Sequence, residues 1–126
     1  MESSNIELEK PAIYVVGTPI GNLSDFSLRG QQVLKSVDFI LAEDTRKSAL
    51  LLQRYKVKNQ MFSYHDFSDA TRVEEILRTI CEKPAAVALV TDSGTPLISD
   101  PGFAIVKKGS QKGLPVIPIP GPSALI

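Results

Sequence analysis

A single cysteine, Cys81, a single histidine, His65, and no tryptophan at all stand out first among the 126 residues. One cysteine closes no internal disulfide, and one cysteine with one histidine cannot supply the ligands of a structural zinc site. Five Phe and three Tyr are too few aromatics for the stacked-base platform of an RRM-like fold. Fourteen basic and fourteen acidic side chains cancel, so no global field draws in a nucleic acid or a membrane. An RNA contact would need a local patch. No apolar run approaches the ~20 residues that span a bilayer. Met1 to Lys10 is polar and acidic, unlike a signal peptide, so the cytoplasm is the expected compartment.

Hydrophobic residues make up 43% of the chain, enough for one core in one domain of ordinary size. Residues 1–10 read as a polar N-terminal tail and 11–126 as an α/β domain. Short apolar runs alternate with amphipathic stretches. The runs are Ile13 to Val16, Phe39 to Ala42, Met61 to Tyr64, Ala86 to Val90, and Val116 to Ile119. Between them, helices are expected from near Ser27, from Thr45 to about Tyr55, from Thr71 to Cys81, and from Phe103 to Gln111, the last closed by Gly113. The third carries Val73, Ile76, Leu77, Ile80 and Cys81 at helical spacing, which predicts one buried stripe that includes the cysteine. Thr71 and Glu74 at its start have the spacing of a capping box. Uninterrupted apolar strands predict a mostly parallel five-stranded sheet flanked by helices on both faces. The chain stops within an apolar run, Pro122 to Ile126, which reads as the N-terminal half of a larger fold.

In such sheets ligands bind beyond the carboxyl ends of the strands. The loops there are rich in Gly, Pro, Asp and hydroxyl residues. Turn chemistry alone could account for that composition, yet five such loops on one edge favour a ligand site. The first, Gly17-Thr18-Pro19-Ile20-Gly21-Asn22, is neither a dinucleotide nor a P-loop fingerprint, and Pro19 removes a backbone donor. None of these loops carries a lysine, so a ligand with little negative charge fits better than a triphosphate. Ser93 is not in a nucleophile elbow. His65 reads as a loop residue capping the next helix rather than as a lone catalytic base. Glu43 and Asp44, followed by Arg46, are equally readable as helix N-terminal acids or as a constellation that holds and deprotonates a hydroxyl. From Thr45 to Lys58 there are five basic residues and no acid, which reads first as a solvated helix face and second as a contact for phosphates.

Four segments occur in order: Tyr14 to Leu23, Ala42 to Arg46, Asp92 to Gly102, and Ile119 to Ala124. Together they resemble the ribosomal RNA small subunit methyltransferase I family of the tetrapyrrole methylase superfamily. The resemblance implies a two-domain, dimeric enzyme using S-adenosyl-L-methionine, without metal, to methylate the 2′-hydroxyl of a cytidine ribose in small-subunit rRNA. This chain would then be the N-terminal domain, inactive without its partner domain. The cofactor contacts it implies are Ile20, then Asp92, Ser93, Gly94, Thr95 and Ile98, then Ser123 and Ala124. Glu43, Asp44 and Arg46 would shape the ribose site. Two stretches depart from the family's habit: Asp66-Phe67-Ser68-Asp69 stands in place of His-Glu-His-Asn, and Lys47-Ser48 in place of His-Thr. Alternatives of another class remain: a methylase of tetrapyrroles or protein side chains, or a non-catalytic binding or assembly fragment.

Overall fold

The structure, a computed structural model, describes residues 6–18, 26–67, 69–92 and 102–119. Five strands and four α-helices alternate: β1 (Ala12–Thr18), α1 (Leu28–Ser36), β2 (Phe39–Ala42), α2 (Thr45–Arg54), β3 (Met61–Ser63), α3 (Ala70–Glu82), β4 (Ala86–Asp92), α4 (Gly102–Gln111) and β5 (Val116–Ile119). A short 3-10 turn, Tyr64–Phe67, separates β3 from α3. The strands lie in the order β3-β2-β4-β1-β5, and every pairing among them is parallel.

Parallel strands need crossovers, and right-handed crossovers decide which face each helix covers. β1, β2 and β3 step one way across the sheet, so α1 and α2 share a face. β4 and β5 step back, so α3 and α4 cover the other. The cores match this division. Ala12, Tyr14, Ile40, Ala42, Ala86, Ala88 and Val90 pack with Val33, Leu34, Leu51 and Leu52 of α1 and α2. Their alternating neighbours Ile13, Leu41, Val87 and Leu89 pack with Val73, Leu77, Ile80 and Ile105 of α3 and α4. Small alanines dominate the first strand face, which lets α1 and α2 approach the sheet closely. Both faces being covered explains why the strands read as continuous apolar runs. At the sheet edges, β3 has only three residues and β5 carries Pro118, both of which discourage further strand pairing.

The amino edge of the sheet is stitched by side chains. Asp38 Oδ2 accepts from the Ala86 amide at 2.9 Å and pairs with Lys10 Nζ at 3.4 Å. Asn59 Nδ2 donates to the carbonyls of Leu34 and Val37 at 3.0 and 2.8 Å. Ile6 and Leu8 pack against the α1/α2 core, and the Ile6 amide donates to Ser36 Oγ at 2.8 Å.

Helix ends follow local chemistry, with two corrections to the expectations. Ser27 caps α1, accepting from the Gly30 amide at 3.0 Å. α3 begins one residue before Thr71, and its cap is Asp69, whose Oδ1 accepts from the Arg72 amide at 3.0 Å. The capping box at Thr71 and Glu74 is therefore not formed. A carboxylate two positions earlier caps the helix, and Glu74 instead pairs with Lys112 and Lys108 of α4 at 3.0 and 3.8 Å. Cys81 is exposed, not buried. The stripe ends at Ile80, because the next position has rotated off the narrow face that meets the sheet. α2 and α4 end in the same hydrogen-bonded motif. Gly113 and then Leu114 donate to the carbonyls of Ser110 and Gly109, at 3.0 and 2.9 Å. At α2, Lys56 and Val57 donate to those of Gln53 and Leu52, at 3.2 and 2.8 Å. Each motif needs one residue with positive φ: Gly113 at 88° and, unusually, Lys56 at 56°.

Candidate functional site

A crevice opens in a parallel sheet where connections from adjacent strands leave toward opposite faces. Here that strand is β4. It lies between β2 and β1, whose following helices α2 and α1 take one face, while α4 takes the other. Register brings Thr18, the last residue of β1, opposite Asp92, the last residue of β4. The loops expected to carry the ligand leave from these ends.

Two side chains hold the carboxyl end of β4 from either side. Thr18 Oγ1 donates to the Thr91 carbonyl at 3.0 Å. From just after β3, the Tyr64 hydroxyl donates to the Val90 carbonyl. The Tyr64 ring is 1% exposed, packed into the α3/α4 core. Burial pushes its phenol well above the ordinary value, and the negative charge of Glu43 adds to the effect, so the hydroxyl stays a donor. The apolar run places Tyr64 at the end of the third strand. It opens the 3-10 turn instead, and its anchoring of β4 cannot be read from the sequence. The only available signal is a polar-tipped aromatic directly after a strand, at the site's edge.

Glu43, Asp44 and Arg46 meet in the turn from β2 to α2, as expected, and all three are exposed. Their roles differ. Asp44 is the N-cap of α2: its Oδ1 accepts from the amides of Arg46 and Lys47 at 3.0 and 3.2 Å. This is the helix-acid reading, realised in one of the two carboxylates. Glu43 caps nothing among the described residues and is the carboxylate left available at the edge. His65 is exposed in the 3-10 turn, where its amide donates to Ser63 Oγ at 3.1 Å. It does not cap α3; Asp69 does. Of the eight expected cofactor contacts, Asp92 ends β4. Ile20, Ser93, Gly94, Thr95, Ile98, Ser123 and Ala124 lie outside the described residues.

Around this edge, Thr18, Glu43, Asp44 and Thr91 bring hydroxyls and carboxylates, and Arg46 and Lys47 bring positive charge from the first turn of α2. Among the described residues no cluster of three or more His, Cys, Asp or Glu side chains could hold a metal, and no helix is long and apolar enough to cross a membrane.

Comparison with known proteins agrees with this architecture. Ribosomal RNA small subunit methyltransferase I of Mycoplasmopsis pulmonis is 47% identical over 112 residues, covering 89% of this chain and 50% of the relative. The proteins of the same name from Escherichia coli O157:H7 and Thermotoga maritima are 44% and 43% identical, with about 90% of this chain and 40% and 50% of theirs covered. The chain thus spans about half the length of these relatives, or somewhat less. Among solved structures, uroporphyrin-III-C-methyltransferase from Thermus thermophilus superposes with a TM-score of 0.63 at 17% identity, over 89% of this chain and 48% of its own. A putative cobalamin synthesis related protein from Corynebacterium diphtheriae gives 0.62 at 22% identity, over 90% and 54%. At these identities the two structures share the fold alone. The profile of the Tetrapyrrole (Corrin/Porphyrin) Methylases matches residues 12–126, from the first residue of β1 onward. The chain belongs to the tetrapyrrole (corrin/porphyrin) methylase family.

Proposed function

We propose that this chain is the N-terminal domain of a cytoplasmic, homodimeric methyltransferase that uses S-adenosyl-L-methionine to methylate RNA of the small ribosomal subunit. The target in this reading is the 2′-hydroxyl of a cytidine ribose. The observation that carries it is the match, in family and in the names of its relatives, of a chain whose sheet has its switch point at β4 and carries Thr18, Glu43 and Asp44 at the carboxyl ends of its strands.

The cofactor is assigned to the carboxyl ends of β1 and β4, with Asp92 and the loop residues Ile20, Ser93, Gly94, Thr95, Ile98, Ser123 and Ala124 as its contacts. Two features support that fit: the register of Thr18 with Asp92, and the hydroxyl and carboxylate character of the described edge. When bound, S-adenosylmethionine supplies a methyl group on a sulfonium, whose departure as a neutral thioether needs neither a metal nor a covalent intermediate. The chain's own work is positioning and proton removal. Thr18 and Tyr64 hold the carboxyl end of β4. Glu43 is the candidate proton acceptor for the ribose hydroxyl, because Asp44 is engaged in capping. Arg46, beside them, is assigned to orienting the substrate.

The test is methyl transfer by the intact protein to small ribosomal subunits, with a tetrapyrrole precursor as the competing substrate. Glu43→Gln should lower kcat by about 100-fold or more, as expected for a lost general base, with KM for the cofactor unchanged. Asp44→Asn keeps a capping side chain and should leave turnover within about threefold of wild type. Wild-type kcat in Glu43→Gln removes Glu43 from the mechanism. Transfer to the tetrapyrrole and not to the RNA overturns the substrate assignment.

A further inference from the structure

The charge of this chain sums to zero but is not evenly spread. Arg46, Lys47, Arg54, Lys56 and Lys58 are all exposed, and no acid lies between Thr45 and His65. The ion pairs among the described residues engage Lys10, Lys108 and Lys112 instead, so none of them neutralises any of these five.

Three of the five stand where stability alone would not put them. Arg46 and Lys47 occupy the first turn of α2, which has no acid, although the macrodipole there favours negative side chains. Lys56 holds the positive-φ position at the end of α2. The same motif at the end of α4 uses Gly113, the residue that takes this conformation without strain. On the exposed face of α2, Leu50 is 58% exposed in the same stripe as Lys47 and Arg54. A cationic face with a bare apolar side chain at its centre can meet phosphates and also cover a sugar or a base.

Position links this face to the candidate site. α2 starts directly after Glu43 and Asp44 on the carboxyl edge and carries the charge away from it over about 15 Å, long enough to follow more than one phosphate of a strand. We propose that the outer face of α2 and the turn after it, from Arg46 to Lys58, is the track on which the substrate RNA lays its backbone on the way to the ribose site. The proposal rests on the functional reading above, which makes the polyanion an RNA.

The experiment is fluorescence anisotropy with a short single-stranded RNA, repeated with poly-glutamate. Five phosphate contacts at about 0.7 each predict a log–log salt slope near −3.5, or about a hundredfold loss of affinity from ~50 to ~200 mM salt. Arg54→Ala with Lys58→Ala, both remote from the ribose site, should reduce the slope to about −2, and the loss over the same range to about twentyfold. Arg78→Ala with Lys83→Ala, on the opposite face of the sheet, should change neither. Lys56→Gly separates charge from structure: it should raise Tm by about 4 °C while weakening RNA binding. A full slope in the α2 double variant, or tighter binding to poly-glutamate than to RNA, overturns the track. If those variants bind normally while the intact protein methylates small-subunit RNA, the track falls and the functional reading stands. If RNA binding depends on α2 but no methyl transfer occurs, the converse holds.

Discussion

Replacing Tyr64 with phenylalanine removes one oxygen and leaves the ring in its core with Leu41, Val73, Leu77 and Leu89. Apolar burial is therefore unchanged, and the loss at neutral pH is that of one buried, neutral hydrogen bond to the Val90 carbonyl, about 1 kcal/mol. The alkaline range makes the prediction sharper. In the unfolded chain Tyr64 ionises around its ordinary value of 10.0, whereas burial and the Glu43 charge keep it protonated in the folded state. The folded-state pKa is raised, so the contribution is fully present below about pH 10 and is lost as pH climbs. Above about pH 10 the unfolded state binds fewer protons, and stability falls by up to about 1.4 kcal/mol per pH unit. The Tyr64→Phe variant has no such loss. Tyr14, whose phenol is also raised by burial, is present in both proteins and cancels. Urea unfolding from about pH 7 to about 11.5 should find wild type more stable by about 1 kcal/mol at neutral pH, the order reversing at about pH 11. A difference that stays constant over this range, or no loss at neutral pH, would refute the reasoning.

Two further pairs of substitutions test the local chemistry. Asp69→Ala should cost about 1 kcal/mol in thermal or urea unfolding, and Thr71→Ala less than about 0.5 kcal/mol, since only the first removes the cap of α3; the reverse ranking would restore the capping box. Gly109→Ala places a Cβ 2.8 Å from Ile13 Cδ1 in the core. Overpacking of about 1–3 kcal/mol should outweigh the ~1 kcal/mol gained in helix propensity. Adding Ile13→Val removes the clashing atom, so the pair should be less destabilised than the sum of the singles, and additivity within about 0.3 kcal/mol would contradict the contact.

The elements are legible because the inner strands are covered on both faces and the helices on one. Ile13 to Val16 and Ala86 to Val90 therefore appear as unbroken apolar runs, and Val73, Leu77 and Ile80 as a stripe. What stays hidden depends on choices between near-equivalent residues or on distant chain segments. Asp69 and Thr71 both suit a cap, and only the placement of the first turn decides between them. Cys81 continues the helical spacing of the stripe but lies just beyond the width of the contact. The strand order β3-β2-β4-β1-β5 comes from the packing of whole crossovers, which no local pattern records. At the site, the apolar run of β2 is enough to put the turn from Glu43 to Arg46 at a strand's carboxyl end. The division of labour between Glu43 and Asp44 emerges only with the backbone amides of Arg46 and Lys47 in view. The anchoring by Tyr64 escapes a local reading because its partner, Val90, lies 26 residues away in the next strand.

The central claim is that the carboxyl edge at β1 and β4 binds the methyl donor. An amide NMR titration of the intact two-domain protein with S-adenosylhomocysteine tests it directly. The account predicts shifts concentrated at Thr18, Glu43, Thr91 and Asp92 and in the loops that follow them. A silent titration, or shifts confined to the amino edge around Ala12, Phe39 and Ala86, would contradict it.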